Sequence, residues 1–307
     1  MLDAAICAYS VTLNGDFHPD PLYFDPVDLA ESPAIFDGGK HEIDAGFIGT
    51  INPDPSGNRW IVLSFRGTLG SWKHGSFKSF LAFLDDWLQD DETKMVPMTV
   101  DGTTLGYAEG GFWTALSYIW PKIAEELDKV DWTSVTGIQI TGHSKGAAMT
   151  FLAAAMVRLK YPAADKIEVH AFAAPLAGDP VFAKWYRSQN LDASTMRYQK
   201  VNDIVPFVPP TVSWNIFHNL PGTWHPEGIA IEAALKLLSL QVYGGYQELG
   251  QLVGLVTTDP KNSKIINGAE PFLRNAIRHT IHAGDGGEIA GAHSATESYW
   301  PALFPGS

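Results

Sequence analysis

Apolar positions along the chain follow two spacings, one typical of strands and one typical of helices. Continuous apolar runs that end abruptly at polar or Gly-rich residues lie at 60–65 and 167–174, as expected of buried strands. Apolar residues three and four positions apart predict helices over 110–127 and after residue 144. Because strands alternate with helices, we expect βαβ units in an α/β fold, with a mostly parallel central sheet flanked by helices.

The N-terminal residues and two internal stretches add further predicted elements. Leu2, Ala5, Ile6 and Tyr9 follow helical spacing, so the chain is expected to open with a short amphipathic helix. Residues 229–282 show three helical segments, which predicts a helical insertion over 211–290. Residues 69–84 combine Gly and Ser with more large apolar side chains than one helical face buries. This predicts a lid, and the alternative is a surface helix buried on one face. With no internal repeat, 1–307 is interpreted as a single domain.

Composition narrows the classes of partner. The chain has 21 Lys and Arg against 34 Asp and Glu, a net charge of -13, which argues against binding nucleic acid or an anionic membrane through a broad basic surface. No stretch approaches the ~18 apolar residues of a membrane span. Cys7 is the one cysteine, so no internal disulfide is possible. The first residues lack the basic segment of a signal peptide, so the expectation is a cytoplasmic protein or a mature secreted form.

Residues 142–146, Gly-His-Ser-Lys-Gly, lie between a strand-like run and a helical segment. Strand, G-x-S-x-G and helix in this order are the context of a nucleophile elbow, a tight turn that lifts the serine hydroxyl clear of the sheet. Side chains two positions before and after the serine would collide there, and both positions are glycine. The helix N-terminus favours negative charge that develops on a reacting carbonyl. Ser144 is therefore a candidate nucleophile, preferred over an ordinary serine in a Gly-rich turn.

A serine nucleophile needs a base to take its proton and an acid to orient that base. Asp203 ends a predicted strand at the edge where open α/β sheets place their sites, although an aspartate there also caps turns. Five histidines follow Asp203 in the chain. His293 is preferred because it lies late in the chain on a loop after a Gly-rich stretch. The other four are interpreted as satisfied polar, surface or capping residues: His218, His225, His279 and His282.

A tetrahedral intermediate also needs two N–H donors for its oxyanion. One is the backbone N–H of Lys145, the residue after the nucleophile. The second is expected from the loop after an early strand, where Thr68 offers both an N–H and a hydroxyl. These groups and water suffice for the chemistry, so neither a cofactor nor a metal is expected.

Seven short segments in a fixed order resemble the class 3 lipases, the fungal-type triacylglycerol lipases and their bacterial and plant relatives. The resemblance runs from about residue 1 to 300, and the shared order is far more specific than any single motif. The segments are F-R-G-T at 65–68, D-W-x-x-D at 86–90, G-F-x-x-A at 111–115, G-H-S-x-G-A-A at 142–148, A-P-x-A-G-D at 174–179, N-D-x-V-P-x-x-P-P at 202–210, and Ala292-His293 with Tyr299.

The resemblance implies an α/β-hydrolase fold and carboxylic-ester hydrolysis. By the same resemblance Ser144 is the nucleophile, Asp203 the orienting acid and His293 the base. Thr68 and Lys145 would form the oxyanion hole. The substrate implied is a lipid or another small ester, which would be bound at a lipid–water interface if residues 69–84 form a lid.

Departures from the pattern leave the substrate open. Glu109 stands where relatives often carry histidine, Lys145 brings a charge beside the nucleophile, and the interval from Asp203 to His293 is long. Phospholipase A1, a feruloyl-type esterase and an acyltransferase are rivals within the enzyme class. A catalytically inactive binding protein on the same fold is the rival outside it.

Overall fold

The structure is a computed structural model. It describes residues 1–11, 17–23, 29–38, 44–68, 94–200, 202–203, 205–207, 245–256, 264–267 and 291–304. The lid predicted over 69–84 lies outside the described residues, and so does most of the insertion predicted over 211–290.

Eight of the described strands form one sheet, in the spatial order β1-β2-β3-β6-β7-β8-β9-β10, and β4 and β5 form a separate hairpin. The five strands from β3 to β9 in that order run parallel, and antiparallel strands lie at both edges. The predicted mostly parallel α/β sheet is thus confirmed. The strands are β1 Ala34–Gly38, β2 Asp44–Thr50, β3 Trp60–Phe65, β4 Met95–Val100, β5 Thr103–Glu109, β6 Gly137–His143, β7 Ile167–Phe172, β8 Thr195–Lys200, β9 Gln251–Val256 and β10 Lys264–Asn267.

Helices cover both faces of the sheet. Residues of α2, α3 and α4 belong to the main hydrophobic core, whereas α1 and the segment around Tyr299 pack in clusters with other sheet residues. A single turn of π-helix, Ala295–Tyr299, precedes α5. The described α-helices are α1 Leu2–Cys7, α2 Gly110–Leu127, α3 Lys145–Lys160, α4 Pro180–Ser188 and α5 Trp300–Leu303. None of these helices combines the length and apolar character that a membrane span requires.

Strand β3 shows how one apolar run serves both faces. Ile61, Leu63 and Phe65 join the main core, while Val62 joins the cluster of α1 on the opposite face. Successive side chains of a strand point to opposite faces, so a central strand covered by helices on both sides is apolar throughout. The Ser64 hydroxyl, on the α1 face, is satisfied by the Ala4 carbonyl at 2.9 Å. This packing holds the carboxyl end of β3, next to the candidate site, in a fixed place.

The prediction of a helical insertion over 211–290 is wrong for part of its length. Strands β9 and β10 lie within that interval and extend the central sheet. The error has a physical cause, because a short apolar run does not distinguish a buried strand from a buried helix. Gly250, at φ +77 beside Thr195, ends the preceding segment and lets the chain enter the sheet next to β8.

Candidate active site

The turn between β6 and α3 has the geometry of a nucleophile elbow. Ser144 lies between them with φ 59 and ψ -129, a conformation that is strained for a residue with a side chain. An added Cβ at Gly142 would lie 2.5 Å from the Gly146 carbonyl group, and one at Gly146 would lie 2.4 Å from the Phe65 carbonyl oxygen. The two glycines therefore allow the close approach that the turn requires.

Ser144, His293 and Asp203 form one chain of hydrogen bonds. The Ser144 Oγ lies 2.8 Å from His293 Nε2, and His293 Nδ1 lies 2.9 Å from Asp203 Oδ2 and 3.1 Å from Oδ1. A carboxylate only accepts, so Nδ1 carries the hydrogen and Nε2 can accept the serine proton. All three residues are buried, with Asp203 fully inaccessible. This arrangement can turn a serine hydroxyl into a nucleophile.

Asp203 is held by more than the histidine. The Val205 N–H donates to Asp203 Oδ1 at 3.0 Å, and the Tyr299 hydroxyl donates to Oδ2 at 2.7 Å. The turn-capping role that was weighed against an active-site role therefore coexists with the contact to His293. Tyr299 is itself fixed, because its oxygen accepts from the Lys200 N–H at 3.0 Å. Burial and the adjacent Asp203 carboxylate raise the pKa of Tyr299 well above its usual value, so it remains a donor.

A second set of hydrogen bonds, made by His143, holds the backbone of His293. His143 Nε2 lies 2.8 Å from the His293 carbonyl oxygen, and its Nδ1 lies 2.9 Å from the Tyr9 hydroxyl. Since the carbonyl accepts, Nε2 carries the hydrogen and Nδ1 accepts from Tyr9. Burial, and secondarily the neighbouring His293, lower the pKa of His143 from 6.5 to about 3. A neutral His143 thus connects helix α1 and its following turn to the backbone of the candidate base.

The candidate oxyanion donors lie, like Ser144, just beyond the carboxyl ends of parallel strands. Lys145 is the first residue of α3, and Thr68 follows the carboxyl end of β3, which is paired with β6 through Phe65 and Gly142. Gly67 lies so close to the elbow that an added Cβ would be 2.7 Å from the His143 carbonyl oxygen. Thr68 is exposed at this point. Both segments therefore border Ser144, as the two donors of an oxyanion hole must.

Two departures from the family pattern have structural roles. The Glu109 carboxylate accepts from the Phe112 N–H at 2.7 Å and caps the N-terminus of α2. The Lys145 ammonium forms an ion pair with the buried Asp44 carboxylate at 2.7 Å. The lysine charge beside the nucleophile is therefore compensated by β2.

The structure thus brings together the predicted Ser144, Asp203 and His293. The other late histidines, His218, His225, His279 and His282, lie outside the described residues. Sequence reasoning assigned no role to Tyr299 or His143, although both belong to the quoted motifs, and it placed Tyr9 only on an apolar helix face. The signal available for Tyr299 was its place at the end of the last motif.

Comparison with known proteins agrees with the resemblance found in the sequence. The model of the family "Lipase (class 3)" matches residues 62–213, which include the elbow and Asp203. The chain belongs to the class 3 lipase family. A curated relative, secreted mono- and diacylglycerol lipase A of Penicillium cyclopium, is 30% identical over 170 residues, 54% of this chain and 48% of the relative. This class 3 lipase therefore spans about half the length of the curated relatives it matches.

Solved structures of fungal lipases share the fold. A mutant of MDLA from Penicillium cyclopium has a TM-score of 0.56 at 20% identity, over 87% of this chain and 83% of that one. Mono- and diacylglycerol lipase from Aspergillus oryzae has a TM-score of 0.54 at 19% identity, over 93% of this chain and 96% of that one. The predicted α/β-hydrolase fold of this class 3 lipase is thereby confirmed.

Proposed function

We propose that this class 3 lipase is a serine carboxylic-ester hydrolase that acts on acylglycerols or other fatty-acyl esters through an acyl-enzyme. The observation that carries the proposal is the continuous hydrogen-bond chain from Ser144 through His293 to Asp203. A buried serine on a strained elbow, paired with a correctly oriented imidazole, is the arrangement that nucleophilic acyl transfer needs.

The reaction proceeds in two halves. His293 Nε2 takes the proton of Ser144 as the Oγ attacks the ester carbonyl, and Asp203 stabilises the resulting imidazolium. The carbonyl oxygen becomes an oxyanion, which accepts from the Lys145 N–H and from Thr68. His293 then protonates the departing alcohol, and the C–O bond of the ester breaks to leave an acyl-enzyme.

Deacylation repeats the same steps with water. His293 takes a proton from a water molecule, whose oxygen attacks the acyl carbonyl of the ester at Ser144. The second tetrahedral intermediate collapses when His293 returns its proton to the Ser144 Oγ, and the carboxylic acid leaves. One histidine therefore acts as base and acid in turn, which requires the orientation that Asp203 gives it.

The proposed substrate class is supported by the relatives. Those named above are mono- and diacylglycerol lipases, so partial glycerides and other fatty-acyl esters are the first substrates to try.

The test measures both the covalent labelling of Ser144 and the hydrolysis of esters. A fluorophosphonate probe should label the wild type at Ser144, and p-nitrophenyl esters and mono- and diacylglycerol emulsions should be hydrolysed. Ser144→Ala should lose both labelling and hydrolysis. Ser117→Ala, whose hydroxyl donates to the Trp113 carbonyl on the surface of α2, should retain both. Labelling at another serine, or hydrolysis that survives in Ser144→Ala, would contradict the proposal.

A further inference from the structure

Lys145 takes part in the candidate site twice, through its backbone and through its side chain. Its N–H follows the nucleophile, and its ammonium reaches the Asp44 carboxylate at 2.7 Å. The Asp44 side chain is 7% exposed and the Lys145 side chain 22%, so the pair is largely removed from water. An ion pair in this setting is short and directional, because little solvent competes for either charge.

Asp44 lies beside the other candidate donor segment. In the pairing of β2 with β3, the Arg66 N–H donates to the Ala45 carbonyl at 2.8 Å, so Asp44 is the next residue along toward Gly67. The buried Arg66 guanidinium also interacts electrostatically with Asp44. The Lys145–Asp44 pair therefore joins the start of α3 to the strand that borders Gly67 and Thr68.

We propose that the Lys145–Asp44 ion pair is a positioning device for the oxyanion hole, which holds the Lys145 N–H and the Gly67–Thr68 segment at a fixed separation. The inference rests on the proposed function, since it assigns a role within that reaction. Two donors aimed at one oxygen must both lie about 2.7–3.1 Å from it, and small displacements cost large factors in rate.

A purely stabilising role explains the pair less well. Buried ion pairs are often no more stabilising than apolar side chains of similar volume. A purely electrostatic role for the ammonium is also weak, because the Asp44 carboxylate at 2.7 Å opposes its field at the oxyanion. The pair also fixes the position of α3 relative to β2, and the opposite signs of the two charges do not weaken this effect.

Three variants separate these roles. Lys145→Met keeps the backbone donor but removes the connection to β2, and Asp44→Asn removes the charge at the other end. The double variant Lys145→Met/Asp44→Leu removes both charges of the ion pair together, and Arg66 loses its interaction with Asp44 in this variant as it does in Asp44→Asn. The matched control is Lys160→Met, which breaks an ion pair with Asp101, 2.9 Å long, at the far end of the same helix.

The measurements are kcat and KM on a p-nitrophenyl ester, inhibition by an alkylboronic acid and the thermal midpoint. The boronic acid forms a tetrahedral adduct with the serine and so reports on the oxyanion hole. We expect Lys145→Met and Asp44→Asn each to lower kcat about tenfold, with KM changed less than about twofold. Boronate affinity should fall by the same factor as kcat/KM. Lys160→Met should match the wild type in all kinetic constants.

The double variant makes the inference falsifiable even if a single variant folds poorly. A positioning role predicts that it recovers thermal stability while kcat stays low. Recovery of kcat together with stability would overturn the inference, as would a higher kcat in Asp44→Asn, which indicates an electrostatic role. A wild type that hydrolyses esters while Lys145→Met equals Lys160→Met would overturn the inference alone. A wild type that neither turns over nor reacts with the fluorophosphonate would overturn the proposed function and this inference with it.

Discussion

The two halves of the candidate triad are built in different ways. Ser144 is positioned locally, by a strand, a tight turn and a helix that are contiguous in the chain. Asp203 and His293 are positioned by side chains from distant segments: Tyr299 bonds Asp203, and His143 bonds the His293 backbone. The difference shows that the nucleophile is encoded in a short motif, whereas the acid–base half depends on tertiary contacts.

The largest expected effect comes from removing the base itself. His293→Ala should lower kcat/KM on the order of 10⁴- to 10⁶-fold, about as much as Ser144→Ala, because triad members act as a unit. His170→Ala is the control, since that half-buried histidine contacts Tyr198 and Glu168 at the side of the sheet. Steady-state kinetics on a p-nitrophenyl ester measures both. A His293→Ala variant with near-normal kcat/KM would move the base to another histidine.

The next effect tests the local half, which is the elbow that carries Ser144. Gly142→Ala places a Cβ 2.5 Å from the Gly146 carbonyl group, so the elbow must shift and Ser144 with it. We expect kcat to fall at least about 10²-fold, since displacements near 1 Å have that effect on positioned groups. Gly291→Ala, where an added Cβ meets no described residue within 4 Å, should retain activity. Equal kinetics for the two variants would show that the elbow tolerates a side chain, contrary to its geometry.

The same division decides what could be predicted from sequence. The elbow could be predicted because its glycines, its serine and both flanking elements are adjacent in the chain. The run before residue 142 has strand composition, and the segment after residue 144 follows helical spacing. Tyr299 could not be given its role, because only the fold brings it to Asp203, 96 positions earlier. Asp44 is likewise 101 positions from Lys145, so no local pattern reveals their ion pair.

The sequence-based prediction failed for β9 and β10, at one edge of the sheet, for a different reason. β9 and β10 are short apolar runs whose partners, β8 and each other, supply the information that selects a strand. Periodicity alone leaves such runs ambiguous, and the neighbouring helical pattern decided the prediction wrongly. The strands at 60–65 and 167–174 were predicted correctly because each is a continuous apolar run that ends abruptly at polar or Gly-rich residues.

A smaller effect tests the role of His143, which holds the His293 backbone in the acid–base half of the triad. Its pKa is lowered by burial from 6.5 to about 3, so between those values the unfolded chain binds a proton that the folded protein does not. Its stabilising contribution is therefore complete above pH 6.5 and is lost as the pH falls toward 3. Between pH 7 and pH 5 this costs about 2 kcal/mol of the free energy of unfolding.

The comparison variant for this pH dependence is His143→Gln. Urea unfolding at pH 7 and pH 5 should show a drop in stability about 2 kcal/mol larger for the wild type than for the variant. The two proteins differ at this one ionisable side chain, so the difference between their drops reports on His143. Equal drops in the two proteins would mean that His143 takes up a proton in the folded state.

The smallest effect separates a positioning residue from a catalytic one. Tyr299→Phe removes the hydrogen bonds of the tyrosine hydroxyl with Asp203 and with the Lys200 N–H, but Asp203 keeps its bonds to Val205 and His293. Bonds to charged groups contribute about 1.5–3 kcal/mol, and only part of that acts on the transition state, so we expect kcat to fall about tenfold with KM nearly unchanged.

Tyr186→Phe is the control for the loss of a buried hydroxyl. The Tyr186 hydroxyl bonds Thr195 at 2.8 Å in the core and lies outside the triad. It should lower the thermal midpoint about as much as Tyr299→Phe but leave kcat unchanged. If both variants lose stability and neither loses kcat, Tyr299 serves the fold and not the triad, because Val205 and His293 then suffice to orient Asp203. If Tyr299→Phe alone loses kcat, the acid–base half depends on a contact made across 96 positions of the chain, which no substitution inside the elbow can reproduce.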